Sequence, residues 1–219
     1  STHPLYNTTK IREPMRIQEE FLHEQIIKKS QFLTYLKQTR TEQEARDFID
    51  LVRHKHPDST HVCTAYSLQN GTIQRSSDNG EPAGTAGVPM LEAIKKSDIQ
   101  DITACVVRYF GGIKLGAGGL IRAYSSSVSQ AIELAPKTID VPVDIYRLSY
   151  PYSMQGSLET WLRKNGEIKE ILYGETIEIL YATAIQGFME SVRDITHGDV
   201  TPVFLRQDLI ETVVQEDTQ

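Results

Sequence analysis

Five glycines fall within nine positions of this chain, Gly111, Gly112, Gly116, Gly118 and Gly119, with Lys114 among them and Arg108 and Arg122 on either side. That combination can hold an anion. Glycine lets the backbone turn through positive φ and brings N–H groups close to a ligand. A helix predicted to start near Gly119 would aim its unpaired N–H groups, and the positive end of its dipole, at the same spot. From Ile102 to Ile132, 31 residues pass without an acidic side chain, so an anionic partner would meet least repulsion there. A purely architectural reading competes with this one, because glycines before a helix also let a strand turn sharply and pack tightly. No nucleotide code is present: there is no G-x-x-x-x-G-K-[ST], and G-x-G-x-x-G breaks at Ile121.

A second loop, SSDNGEPAGTAGVP, offers Asp78, Gly80, Glu81 and Thr85. Its two carboxylates could do acid–base work or simply cap turns. A phosphoryl-transferring enzyme would need a metal-binding carboxylate near the phosphates, and Asp78 or Glu81 would have to supply it. His54, His56, His61 and Cys63 are close in sequence, but strand parity puts His61 and Cys63 on one face while the other two end a helix. Without a paired C-x-x-C or H-x-x-x-H, no metal site and no cofactor are expected. Ser125, Ser126 and Ser127 lack the G-x-S-x-G elbow of a nucleophile. Both loops are polar and rich in turns, too costly in backbone hydrogen bonds to bury without partners. They are therefore expected to meet on one face, with Lys114 and Arg122 exposed.

The elements that must position these residues follow from periodicity. Residues 15 to 38 mix β-branched and aromatic residues with charges and predict two or three strands. Thr41-Glu42-Gln43-Glu44 is a capping box, opening a helix through Ala45, Phe48, Ile49 and Val52 that Pro57 stops. His61 to Leu68 and Thr72 to Ser76 predict a hairpin closed by Asn70-Gly71, the dipeptide of type I′ turns. Pro89 begins a short helix, Thr103 to Phe110 is an apolar strand, and the helix after the glycines carries Leu120, Tyr124, Val128, Ile132 and Ala135 on one stripe. A division falls near Pro136 to Pro142. Beyond it the chain predicts a strand (Val141 to Tyr150), a helix capped by Ser153 and ended by Asn165-Gly166, strands Ile168 to Tyr173 and Thr176 to Thr183, a helix to Gly198, and a last strand. That order is β-α-β-β-α-β, the ferredoxin-like arrangement.

Composition narrows the setting. The net charge of −6 is uneven: residues 1 to 140 hold 17 basic against 16 acidic residues, and residues 141 to 219 hold 6 against 13. That balance argues against wholesale wrapping of nucleic acid, so any RNA contact would be local and on the first half. No apolar run approaches the roughly 20 residues of a membrane span. The first residues, STHPLYNTTKIREP, are too polar for a secretory signal. A cytoplasmic location is expected, with Cys63 and Cys105 as small buried hydrophobes and the Asn7-Thr8-Thr9 sequon a chance match.

Two long motifs in order, SSDNGEPAGTAGVPML (Ser76 to Leu91) and VVRYFGGIKLGAGGLIRAY (Val106 to Tyr124), preceded by THVCTAY, resemble the IMPACT family in its two-domain bacterial form. The resemblance is close over roughly residues 15 to 135 and rests on domain order beyond. It implies an α+β protein: a domain over residues 1–138 of the ribosomal protein S5 domain-2-like type, then a ferredoxin-like domain over 139–219 similar to the last domain of the translocating elongation factor. Adjacent domains of these types occur in that factor, which implies a translation-linked role. Eukaryotic members are associated with restraining the starvation-sensing arm of translational control. Their additional N-terminal domain makes their main partner contacts, and the 14 or so residues before Met15 are too few to form one, so the partner does not carry over. The family supplies no established catalytic residue. The expectation is a translation-associated binding or regulatory protein that meets the ribosome or structured RNA through the glycine loop. The alternative is a phosphoryl- or anion-handling enzyme using that loop with Asp78 and Glu81.

Overall fold

The structure, a computed structural model, describes residues 14–214, so the Asn7 sequon lies outside the described residues. They divide into two compact units, residues 14–139 (with 213 and 214) and residues 140–212.

The first unit is built on an antiparallel sheet of strands β2 (Phe21–Ile27), β3 (Ser30–Gln38), β4 (His61–Leu68), β5 (Ile73–Ser77) and β6 (Ile102–Tyr109), in the order β2-β3-β6-β4-β5. Helices α2 (Gly87–Lys96) and α3 (Gly116–Leu134) contribute Met90, Ile94, Leu120, Tyr124 and Val128 to the core on one face. On the other face α1 (Glu42–Lys55) lays Phe48 and Val52 against Val62, Tyr66, Cys105 and Val107. Covered on both sides, β4 and β6 have no wet face, which is why they are near-continuous apolar runs. The short β1 (Met15–Ile17) pairs with Lys137, Thr138 and Ile139 at the start of β7 (Lys137–Tyr150).

Local chemistry sets the boundaries. Thr41 Oγ1 accepts the Glu44 N–H at 3.1 Å, and the Glu44 carboxylate reaches back to the Arg40 N–H at 2.6 Å, so the capping box closes one residue earlier than its usual form. The hairpin after β4 differs from expectation. Four residues separate the paired Leu68 and Ile73, and Gln69, Asn70 and Gly71 all have positive φ, so Asn70-Gly71 is part of a longer connection and not a two-residue turn. The two-residue turn lies elsewhere. Ile27 pairs with Ser30, and Lys28 and Lys29 between them take φ of 46° and 66°, the type I′ geometry.

In the second unit β7, α4 (Gln155–Asn165), β8 (Glu167–Tyr173), β9 (Ile177–Thr183), α5 (Phe188–Ile195) and β10 (Val203–Val213) form the ferredoxin-like split βαβ, with sheet order β10-β7-β9-β8. Tyr146, Leu148, Leu158, Leu162, Ile179, Tyr181, Phe188 and Val192 are its core. Ser153 does not cap α4; it sits in a single 3-10 turn, Tyr152–Met154, from which the helix continues.

Candidate functional site

Glu81 ties the 78–87 loop to the strand and the helix that flank the glycine loop. Its carboxylate is buried at the end of β6, where Oε1 accepts from Arg108 Nη1 at 2.7 Å and from the Tyr124 hydroxyl at 2.7 Å. His61 Nε2 stands 3.8 Å from the same oxygen. The other ring nitrogen of His61, Nδ1, is 2.9 Å from the Asn79 carbonyl, which can only accept, so the proton belongs on Nδ1. Thus β4, β6, α3 and the 78–87 loop all converge on one acid.

Asp78 holds that loop in place. Its Oδ1 accepts the N–H groups of Ala86 and Gly87 at 3.1 and 2.8 Å, and Oδ2 accepts that of Gly84 at 2.9 Å. Ala86, the residue before α2, offers no cap of its own, so Asp78 caps this helix from eight residues upstream and faces its positive end. Burial pushes the carboxyl up, but the donations from Gly84, Gly87 and Ala86 outweigh it and hold it below the usual range. A depressed value in the folded state stabilises the protein above the ordinary carboxyl pKa and is lost as pH falls through the folded one. Asp78→Asn is therefore expected to cost about 1.5–3 kcal/mol at neutral pH, the worth of hydrogen bonds to a charged acceptor. The deficit should shrink in urea titrations once pH drops below the ordinary value of 3.8; a deficit independent of pH would remove the carboxylate from this role. Thr85 is buried and donates to the Pro82 carbonyl, while Gly80 lies against the His61 ring.

Arg108 departs from the anion-contact expectation. It is 5% exposed, engaged by Glu81 and by Ser30 Oγ at 3.3 Å, and its guanidinium lies 5.6 and 5.5 Å from the ring centres of Phe32 and Phe110. A charge inside an apolar strand requires an internal partner, and this one has it. The acid-free window also has a plainer cause than ligand attraction, since β6 and the inner stripe of α3 are core.

The glycine loop itself is outside. Gly112, Lys114, Gly116, Gly118 and Arg122 are exposed, and Gly119 is half-buried. The helix begins at Gly116, one turn before the expected Gly119, with no side chain capping it and no acid in its first turn. Arg122 folds back along the helix, with Nη1 3.3 Å from where a Cβ on Gly118 would stand. Gly112 and Gly116 take the positive φ angles; Gly111 serves differently. Its N–H donates to Ser30 Oγ at 3.3 Å, and an added Cβ would fall 2.0 Å from the Lys29 carbonyl oxygen. The loop thus lies against the Lys28-Lys29 turn, whose side chains are both exposed. Those two lysines were not foreseen. The signal was a Lys-Lys pair between Ile27 and Ser30, with nothing local linking it to a loop eighty residues on.

The remaining candidates are occupied elsewhere. His56 bridges the hydroxyls of Tyr35 and Tyr109 at 2.7 Å each, His54 Nδ1 is 3.1 Å from the Asp50 carbonyl, and Ser126 and Ser127 hold the Gln25 amide. Among the described residues no cluster of three metal-ligating side chains occurs, and no helix is long and apolar enough to cross a membrane.

Residues 28–132 match the family model described as the Impact N-terminal domain. The IMPACT family member YvyE of Bacillus subtilis (strain 168) is 42% identical over 189 residues, covering 83% of this chain and 86% of that protein. The IMPACT family member YigZ of Escherichia coli (strain K12) is 36% identical over 181 residues, 80% of this chain and 89% of the other. A crystal structure of a protein described only as hypothetical is 32% identical, covers 90% of this chain and 99% of its own, and superposes with a TM-score of 0.57.

Proposed function

Since this chain belongs to the IMPACT family, we propose that it is a translation-associated binding or regulatory protein of the cytoplasm whose first unit contacts the ribosome or structured RNA. The observation that carries the reading is the end of the first unit where Lys28, Lys29, Lys114 and Arg122 are exposed around the glycine loop and an uncapped helix start. Amide donors and exposed cations there suit phosphate oxygens. An S5 domain-2-like unit followed by a ferredoxin-like one, the pairing also found in the translocating elongation factor, favours a ribosomal setting.

The enzyme alternative would need Asp78 or Glu81 free to hold a metal. Asp78 is engaged by three backbone N–H groups and Glu81 by Arg108 and Tyr124, so the geometry favours binding over turnover.

Filter binding of ribosomes and of structured RNA across a salt series tests the proposal. Binding is expected to be weak, with log K falling by about 0.7 to 0.9 per neutralised phosphate and a total slope of about three to three and a half for the four cations. Changing Lys114 and Arg122 together to alanine should remove most of the binding without unfolding the protein. Salt-independent binding, or binding that survives the double substitution, would place the contact elsewhere. Metal-dependent turnover of a phosphorylated small molecule, lost on changing Asp78, would favour the enzyme.

A further inference from the structure

Among the cations at the glycine loop stands an aromatic ring that charge alone leaves without a purpose. Phe110 is 48% exposed although it follows a strand whose residues are buried from Ile102 to Arg108. It belongs to none of the core clusters. Leaving so much aromatic surface wet forgoes the burial that most such rings contribute. Its position is nevertheless fixed. The Phe110 N–H donates to Thr60 Oγ1 at 2.9 Å, and the Thr60 N–H donates to the Arg108 carbonyl at 2.8 Å. Beneath the ring lies the Arg108 guanidinium, 5.5 Å from its centre, itself locked by Glu81 and Ser30. A ring seated on an immobile cation is presented to solvent in one place.

The next residue, Gly111, lies against the Lys28-Lys29 turn. Both lysines adopt the left-handed conformation, which side chains other than Asn and Gly seldom take and which costs energy. Lys114 follows three residues after Gly111, on the exposed part of the loop. An exposed aromatic ring together with exposed cations is the composition of single-strand binding sites, where bases stack and phosphates meet ammonium groups. A duplex cannot use the ring, because its bases already stack on one another.

We propose that Phe110 is a stacking platform for an unpaired base, so that the ligand at this end of the first unit is a single-stranded RNA segment whose phosphates lie along Lys28, Lys29 and Lys114. The proposal rests on the nucleic-acid reading above and narrows it.

Fluorescence anisotropy with a labelled, unstructured RNA oligonucleotide and with a duplex of equal length, each over a salt series, tests the full chain against Phe110→Ala, Phe110→Leu and Phe110→Trp. Stacking is worth about 1–3 kcal/mol per base, so Phe110→Ala should weaken single-strand binding by about five-fold or more, with its salt slope unchanged. Tryptophan should restore or tighten it, leucine should not, and duplex binding should stay as it was. If wild type binds RNA and the alanine variant binds the single strand equally well, the platform is wrong while the nucleic-acid reading stands. If leucine restores binding, the ring is an apolar contact and stacking is refuted. If single strand and duplex lose affinity equally, the ring does not read unpaired bases. If wild type binds neither RNA, both readings fall together.

Discussion

Glu81→Ala is expected to destabilise the first unit by about 3–5 kcal/mol, the cost of leaving a buried charge without its partner. Arg108 cannot escape to water without breaking the sheet, because it projects from β6 between Phe32 and Phe110 and is 5% exposed. The Tyr124 hydroxyl loses its acceptor in the same stroke. Such a loss is a large fraction of the 5–15 kcal/mol by which domains are usually stable, so Glu81→Gln, which keeps an acceptor and removes the charge, is the companion variant and should lose less. Adding Arg108→Met to Glu81→Ala should recover much of the deficit, since an apolar side chain needs no counter-charge. Urea denaturation of the three variants measures each step. A loss under about 1 kcal/mol for Glu81→Ala would mean that Arg108 is solvated on demand, contrary to its burial.

Gly111→Ala should do comparable damage by a different route. The new Cβ would stand 2.0 Å from the Lys29 carbonyl oxygen, 2.1 Å from its carbon and 2.6 Å from the Ser30 nitrogen. All three are backbone atoms, so no rotamer change can clear them. The turn between β2 and β3 must separate from the loop, at a cost of about 3 kcal/mol, the upper part of the usual range for overpacking. The separation also carries Lys28 and Lys29 away from the loop, so RNA binding should weaken with a smaller salt slope although no charge has changed. Denaturation midpoints and the salt series report the two effects independently. Wild-type stability in this variant would show that the close approach is dispensable.

Much of the architecture was legible because it is written in local periods. Ala45, Phe48, Ile49 and Val52 mark one helical stripe, Thr41 and Glu44 mark its start, and the second unit's order of elements identifies its topology. What stayed hidden depends on pairs distant in sequence. An arginine in the run Val106-Val107-Arg108 needs a buried acid, and the absence of acids from 102 to 132 means that the acid must come from elsewhere in the chain. Read that way, the window calls for Glu81; read as an attraction for external anions, it placed Arg108 on the wrong side of the surface. The start of α3 was set one turn late because glycine is a poor helix former, yet Gly116, Gly118 and Gly119 are in the helix, where tertiary packing of Leu120 and Tyr124 outweighs propensity. The division expected near Pro136 to Pro142 spans the start of one long strand, which begins at Lys137. Pro142 is tolerated there because it is exposed and lies between the residues paired with β1 and those paired with β9.

Cys63 sits under the Asp78 loop, with its thiol donating to the Asp78 carbonyl at 3.0 Å. Burial pushes that thiol up to about 12, and the facing carboxylates of Glu81 and Asp78 push in the same direction against Tyr124 and Arg108. Only the thiolate reacts with alkylating reagents, so in the closed molecule Cys63 is chemically silent. Its modification must wait until the loop lifts, and the labelling rate then counts those openings directly. Cys105, enclosed on the opposite side of the sheet among Phe48, Val52 and Val107, answers only to a deeper opening. The chain therefore contains two internal clocks, one for the breathing of the 78–87 loop and one for the disruption of its core, and the ratio of their rates measures how far the first can occur without the second.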